Sequence, residues 1–216
     1  MISIPTLQGT DATLKRKEIK AYFHYCYKRY ESLFNIVADE KAYFIKADPL
    51  RHPIIFYYGH TAVFFINKLK LAKIIDKRID SELESLFAVG VDEMSWDDLD
   101  ETHYEWPSLK KTRAYRDEVY SVVDHLMETL PLELPITQDS PWWVLLMGIE
   151  HENIHLETTS VLIRQLPLAF VREDVHFKEC ETVRPAPQNV LLDVCAGSVS
   201  LGKNKEAKLF GWDNEY

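Results

Sequence analysis

A chain of 216 residues with 46% hydrophobic and 12% aromatic side chains can bury a sizeable core, which excludes a disordered or collagen-like polymer. Its 25 basic and 34 acidic residues leave a net charge of −9 without a basic run, so neither a nucleic acid nor an anionic membrane surface is an expected partner. The three cysteines, Cys26, Cys180 and Cys195, are too few and too dispersed for a disulfide framework or a CxxC knuckle. The N-terminus lacks the basic-then-apolar order of a signal peptide, and no apolar run approaches the ~20 residues of a membrane helix, so a soluble, cytoplasmic protein is expected.

Ile19, Tyr22, Phe23, Cys26, Tyr30, Leu33, Phe34 and Val37 recur at threes and fours and predict a first helix, with Asp11 or Thr13 as its cap. A second helix is predicted from Pro53 to about Ile75. It is apolar nearly all round until Lys68 and should be the most buried. Asp76 to Pro107 is a long, mixed stretch, acidic and aromatic after Asp92; such a segment is expected to pack as an ordered crossover or to carry function. Leu109 to Leu130 predicts a third helix, stopped by Pro131 and Pro135, and Asp139-Ser140-Pro141 caps a fourth that runs to about Leu166. The expected fold is mainly α, a four-helix bundle with a long crossover between its second and third helices. After Val171 the chain turns polar, and beyond Arg184-Pro185-Ala186-Pro187 the stretch VLLDVCAGSVSLGK reads as strand, glycine turn, strand.

The fourth helix contains His151-Glu152-Asn153-Ile154-His155. Residues four apart lie one turn above each other, so both imidazoles project from one face and can hold one metal ion. Gly148, Val144, Thr159 and Leu162 share that face, which places the pair inside the bundle. The same five residues match the HExxH pattern of zinc proteases, in which the Glu is the general base. However, the downstream third-ligand candidates Glu173, His176 and Glu179 lie where helical order is lost, and charged Glu150 and Glu157 flank the motif.

The third ligand is better sought upstream. His60 lies in the most apolar helix, among Phe56, Phe64 and Phe65, where an imidazole costs stability unless it is hydrogen-bonded to a neighbour or ligates something. Gly59 beside it is better explained by close approach of another group than by helix formation. His52 is the alternative ligand, but it lies about two turns (~12 Å) away at the start of the helix. His24 pairs by spacing with Lys28, whereas His103, His125 and His176 are expected to be solvated. Three neutral imidazoles leave up to three positions open on an octahedral ion, which suits Fe(II) that must bind substrate and O2, although Zn(II) uses the same donors.

The segments RHPIIFYYGHTAVFFINKL, FAVGVDEMSWDDLDETHYEWP, DSPWWVLLMGIEHENIHLETTSVLIRQLP and AGSVSLGK with FGWDNEY, in one order from about Pro49 to Tyr216, closely resemble the N-terminal part of 5-histidylcysteine sulfoxide synthases of the ovothiol pathway (OvoA type). The resemblance implies a DinB-like bundle over residues 1–180. Residues 181–216 would then be a linker and the opening of a formylglycine-generating-enzyme-like domain that stops early at Tyr216, with a methyltransferase domain often following. It further implies a mononuclear non-haem Fe(2+) held by His60, His151 and His155, with L-cysteine bound through sulfur, O2 as oxidant and L-histidine as the acceptor of the C–S bond. Within it, Glu152 and Glu157 are placed to accept the outer N–H of a ligand His, and VDEMSWDDL borders the substrate pocket. Catalytic and substrate-binding residues, including a tyrosine near the reacting sulfur, are implied in the missing domain, so that domain or a complementing chain is an expected partner. Asn153 departs from the pattern, which has a basic residue there. The distinction from the relative in the ergothioneine pathway rests on DEMSWDD and HLETTSVLIRQLP. Two other classes remain open: a DinB-type metal-dependent thiol transferase and a non-enzymatic metal-binding fragment.

Overall fold

Each long helix begins where a short polar side chain or a proline can take over the free end of the backbone. The computed structural model describes residues 2–89, 104–178, 184–204 and 206–216. Asp11 starts α1 (Ala12–Leu33), its Oδ1 accepting from the N–H groups of Thr13 and Leu14 at 2.8 and 3.0 Å. Pro53, with φ fixed at −64°, leads into α2 (Ile54–Leu71). Asp80 caps the short α3 (Ser81–Leu86), and Ser108 caps α4 (Leu109–Thr129). Ser140 followed by Pro141 opens α5 (Pro141–Gln165). The four long helices form the expected bundle, with α2 packed against both α4 and α5 and α1 against α5 and α4.

The all-round apolar character of α2 has its counterpart in position: every residue from Ile54 to Ile66 is buried. On one side it joins Phe23, Tyr27, Trp142, Leu145 and Ile149, and on the other Tyr30, Phe34, Tyr43 and Ile163. Gly148 allows the closest approach of α5 to α2, because a Cβ there would stand 2.2 Å from the ring of Phe65. Gly→Ala in a helix normally gains about 1 kcal/mol, but overpacking a filled core loses about 1–3 kcal/mol. Gly148→Ala should therefore lower the urea midpoint; a raised midpoint would mean that Phe65 moves aside freely.

Three expectations are corrected. α2 ends at Leu71 rather than near Ile75, because Lys73 adopts φ 57° and a Schellman cap closes there: Ile74 N–H donates to Leu69 O at 2.9 Å and Lys73 N–H to Lys70 O at 3.1 Å. A lysine fills the place usually held by glycine, so no local residue signals the stop. Residues 190–203 form no strand. Leu191, Leu192, Val194 and Leu201 are exposed, and the sole β-bridge among the described residues joins Val37 to Val171, so nothing supplies the ladder a strand requires. His24 looks not to Lys28 but across to α4, where its Nε2–H donates to Asp124 at 2.5 Å. His125 and His176 are exposed as expected, while His103 and Cys180 lie outside the described residues.

Beyond residue 203 the chain returns to the bundle: Lys208 O accepts from Leu7 N–H at 2.7 Å and the Phe210 ring packs on Trp143 with centroids 4.9 Å apart. No helix is long and apolar enough to cross a membrane among the described residues.

Burial acts to raise the Asp124 carboxyl, but hydrogen bonds from His24 and Lys20 outweigh it and hold the group below its ordinary value of 3.8. A depressed carboxyl contributes stability that is complete above the unfolded-state value and is lost as pH falls through the folded one. Stability should thus decline on acidification below about pH 4, and Asp124→Asn should flatten that limb in denaturant titrations. Salt should shrink the effect, since the pair is partly exposed.

Candidate metal centre

His151 and His155 stand one turn apart on the face of α5 that Gly148 presses against α2, and His60 meets them from α2. One ring nitrogen from each of the three lies within 4.8 Å of the others, and Nε2 of His151 is 3.1 Å from Nε2 of His155. The ring centroids are 4.4–5.0 Å apart and the planes are inclined at 61–70°, so the rings point inward rather than stack. His60 is 1% exposed and the other two are 8% exposed. The cluster brings His60 together with residues 91 and 95 positions further along the sequence.

Burial first, then the neighbouring His155 and His60, holds His151 well below the ordinary imidazole value; burial and His60 push His155 down to about 3. Both rings are neutral at physiological pH and keep a lone pair for a ligand bond. Two imidazoles at the usual ~2.0–2.1 Å from one ion, subtending roughly 90–109°, stand about 2.8–3.4 Å apart. The observed 3.1 Å fits that requirement. An N–H···N bond would account for the same separation in one pair, but it does not account for the third ring aimed at the same point. The buried triad can hold a metal ion.

Among the described residues, the triad is flanked by aromatic rings, one main-chain oxygen and one hydroxyl. The Phe64 ring lies flat on His151, centroids 3.7 Å apart and 8° from parallel, and the Lys68 ammonium lies 5.0 Å from the centroid of the Phe64 ring. Phe56 stacks on His60 at 5.1 Å. His60 Nδ1–H donates to the main-chain oxygen of Phe87 at 2.6 Å. Thr158 Oγ1 is 3.5 Å from His155 Nδ1.

The two glutamates expected to accept from the ligand imidazoles do not do so. Glu152 turns away from the triad: its Oε1 accepts from Arg116 Nη2 of α4 at 3.0 Å and from Thr61 Oγ1 of α2 at 3.2 Å. Burial outweighs Arg116 and pushes the Glu152 carboxyl up to about 7. Glu157 is exposed on the outer side of α5. The reason is rotational: each helical residue advances about 100°, so a residue next to a ligand faces elsewhere. Asn153 likewise faces α1, donating to Tyr22 Oη at 3.0 Å while Tyr22 donates to Glu150 at 2.9 Å.

His52, the other ligand candidate, lies buried at the start of α2 against Phe56 and Trp106, apart from the triad. Of the downstream alternatives, Glu173 and His176 are exposed outside the bundle, and Glu179 lies outside the described residues, as does VDEMSWDDL. Arg116 was missed by sequence reasoning, although it falls on the buried stripe Thr112, Arg116, Val119, Val123 and Met127 of α4. A cation on such a stripe requires carboxylate partners.

Residues 22–159, well over half of the chain and including all three histidines, match the family model described as the DinB superfamily. The chain belongs to the DinB superfamily. The helical DinB-like fold is thereby shown, and the triad bridges its second and last long helices. This DinB-superfamily chain is also similar to "Ergothioneine biosynthesis protein 1" of Schizosaccharomyces pombe, with 30% identity over 122 residues. That match covers 51% of this chain and 15% of the yeast protein.

Proposed function

We propose that this chain is the metal-holding bundle of a non-haem iron sulfoxide synthase, which joins the sulfur of L-cysteine to the imidazole ring of L-histidine with O2 to give 5-histidylcysteine sulfoxide, as in ovothiol biosynthesis. The observation that carries the reading is the donor set. Three buried imidazoles converge while the buried carboxylate beside them in sequence, Glu152, is committed to Arg116, so a metal there keeps open positions for exogenous ligands. The family match and the similarity to an ergothioneine-pathway protein support it.

Bound at this site, Fe(II) would supply affinity for a thiolate and redox chemistry with O2. The overall change balances without an external reductant: the thiol S–H and an imidazole C–H are lost, the C–S bond forms, one oxygen atom goes to sulfur and the other leaves as water. The chain's own part is to present three lone pairs, to hold the His151 plane against Phe64 and to keep water from the inner side with Phe56 and Phe64. We further propose that residues 1–180 are the bundle and 181–216 a linker and the opening of a second domain. In this reading that domain, or a complementing chain, supplies the remaining substrate wall, and the setting is cytoplasmic.

Anaerobically prepared protein should bind one Fe(II). Added cysteine should perturb the Fe(II)–nitrosyl spectrum, and cysteine- and histidine-dependent O2 uptake should appear once the complementing segment is supplied. The same donor set suits Zn(II) with one open position, the arrangement of a thiol transferase. Preferential retention of zinc with thiol transfer under anaerobic conditions would favour that reading and overturn the iron one.

A further inference from the structure

A three-imidazole site by itself needs neither Gly59 nor α3. Gly59 interrupts an apolar helix at a cost of about 1 kcal/mol relative to alanine, and it does so next to His60. A Cβ at Gly59 would lie 2.4–2.5 Å from ring atoms of Phe87, so the glycine is the notch in which that ring sits. Phe87 is fully buried, and its ring also packs on Trp106, 6.0 Å between centroids and 20° from parallel. With the ring seated, the main-chain oxygen of Phe87 stands 2.6 Å from His60 Nδ1. A carbonyl only accepts, so the proton of His60 resides on Nδ1 and the lone pair on Nε2.

What holds Phe87 there is the crossover. Phe87 N–H closes α3 by donating to Leu83 O at 2.9 Å. Glu84, one turn earlier and buried, pins α3 on three sides. Its Oε1 accepts from the N–H of Ile79 at 2.9 Å, from that of Asp80 at 3.1 Å and from Tyr115 Oη of α4 at 3.3 Å. Its Oε2 accepts from Arg78 at 2.6 Å, and its main-chain oxygen accepts from Asn67 Nδ2 of α2 at 3.2 Å.

We propose that α3 is a positioning element of the metal centre: Phe87, seated over Gly59 and anchored through Glu84, fixes the tautomer and the ring orientation of His60. This rests on His60 being a metal ligand. Outer groups that orient ligand imidazoles typically contribute 10–100-fold to metal affinity.

The test uses the 216-residue chain under nitrogen, with Zn(II) affinity read by chelator competition and the His60 ring read by 15N–1H spectra of its nitrogens. Gly59→Ala should weaken Zn(II) by 10–100-fold at unchanged stoichiometry and abolish the protected Nδ1–H resonance. The double variant Gly59→Ala with Phe87→Ala, which gives the methyl room, should recover part of the affinity. Glu84→Gln, remote from the ligands, should weaken Zn(II) by about tenfold and broaden the same resonance, and it serves equally if Gly59→Ala does not fold. Wild-type affinity and an unchanged Nδ1–H signal in Glu84→Gln, or in a folded Gly59→Ala, would overturn the proposal. The underlying reading is checked separately: His60→Ala with wild-type affinity would show that His60 is not a ligand. Loss in His60→Ala with no effect of Gly59→Ala or Glu84→Gln would overturn the positioning role alone.

Discussion

His151→Ala and His155→Ala should each abolish stoichiometric metal binding, and they should do so without unfolding the metal-free bundle. The free energy of a fully protein-ligated structural zinc site is of order 10–16 kcal/mol, or roughly 3 kcal/mol per ligand, so loss of one imidazole from three weakens binding by more than about 100-fold. The metal-free fold should change by less than about 2 kcal/mol, the ordinary range for a point substitution, because neither ring anchors a helix end or an ion pair. A ligand present at 100 times its dissociation constant stabilises by about 2.7 kcal/mol. Wild-type protein should therefore show a thermal midpoint that rises with Fe(II) or Zn(II) and falls again with EDTA, and both variants should show a midpoint indifferent to either. Metal content by elemental analysis and calorimetric melting, in parallel, check this. A one-to-one metal content at wild-type affinity in either variant would refute the triad.

The parts of this molecule that were legible in the sequence are those whose cause is local. Asp11 and Ser140 with Pro141 signal helix starts because capping involves residues two or three positions apart. The i, i+4 spacing of His151 and His155 fixes their common face, and His60 stood out as an imidazole in an otherwise apolar helix. What escaped depends on non-local pairing or on groups that every residue shares. The Phe87 carbonyl is chemically like any other, so its sequence trace is the hole it needs at Gly59. Glu152 was read by its neighbours in the chain, whereas its partner is set by which helix lies 100° further round α5. The alternating apolar residues of 190–203 describe a strand only if another strand lies beside it, and none does among the described residues. Of the two segments on which the choice between the ovothiol and ergothioneine pathways rested, DEMSWDD lies outside the described residues, while HLETTSVLIRQLP runs through the second half of α5 to Pro167 just after it.

Arg116→Met should destabilise the bundle strongly, by about 3–5 kcal/mol in urea unfolding with EDTA present. Arg116 is 1% exposed and bridges three helices. Its Nε pairs with Glu31 of α1, its Nη2 donates to Glu152 of α5 at 3.0 Å, and its Nη1 donates to Tyr58 O and Thr61 Oγ1 of α2, both at 2.7 Å. Tyr27, Tyr30 and Tyr58 surround the guanidinium at 4.7–5.2 Å. Methionine replaces the stem but abandons two carboxylates, one of them buried, together with a main-chain oxygen. Without the guanidinium the buried Glu152 carboxyl, already pushed up by burial, would protonate, and the loss is that of the charge-assisted hydrogen bonds together with buried acceptors left without a donor. Two further variants separate these terms. Arg116→Lys keeps the charge yet lacks the planar fork that reaches both carboxylates, so a loss of about 1–3 kcal/mol is expected. Adding Glu152→Gln to Arg116→Met should return part of the lost stability, giving a coupling above about 1 kcal/mol in a double-mutant cycle. Because the network joins Thr61, next to His60, to Glu152, next to His151, metal affinity should fall in step with stability. If Arg116→Met unfolds at the wild-type urea midpoint, the guanidinium does not hold α2 and α5 in register, and the convergence of the three imidazoles must rest on apolar packing alone.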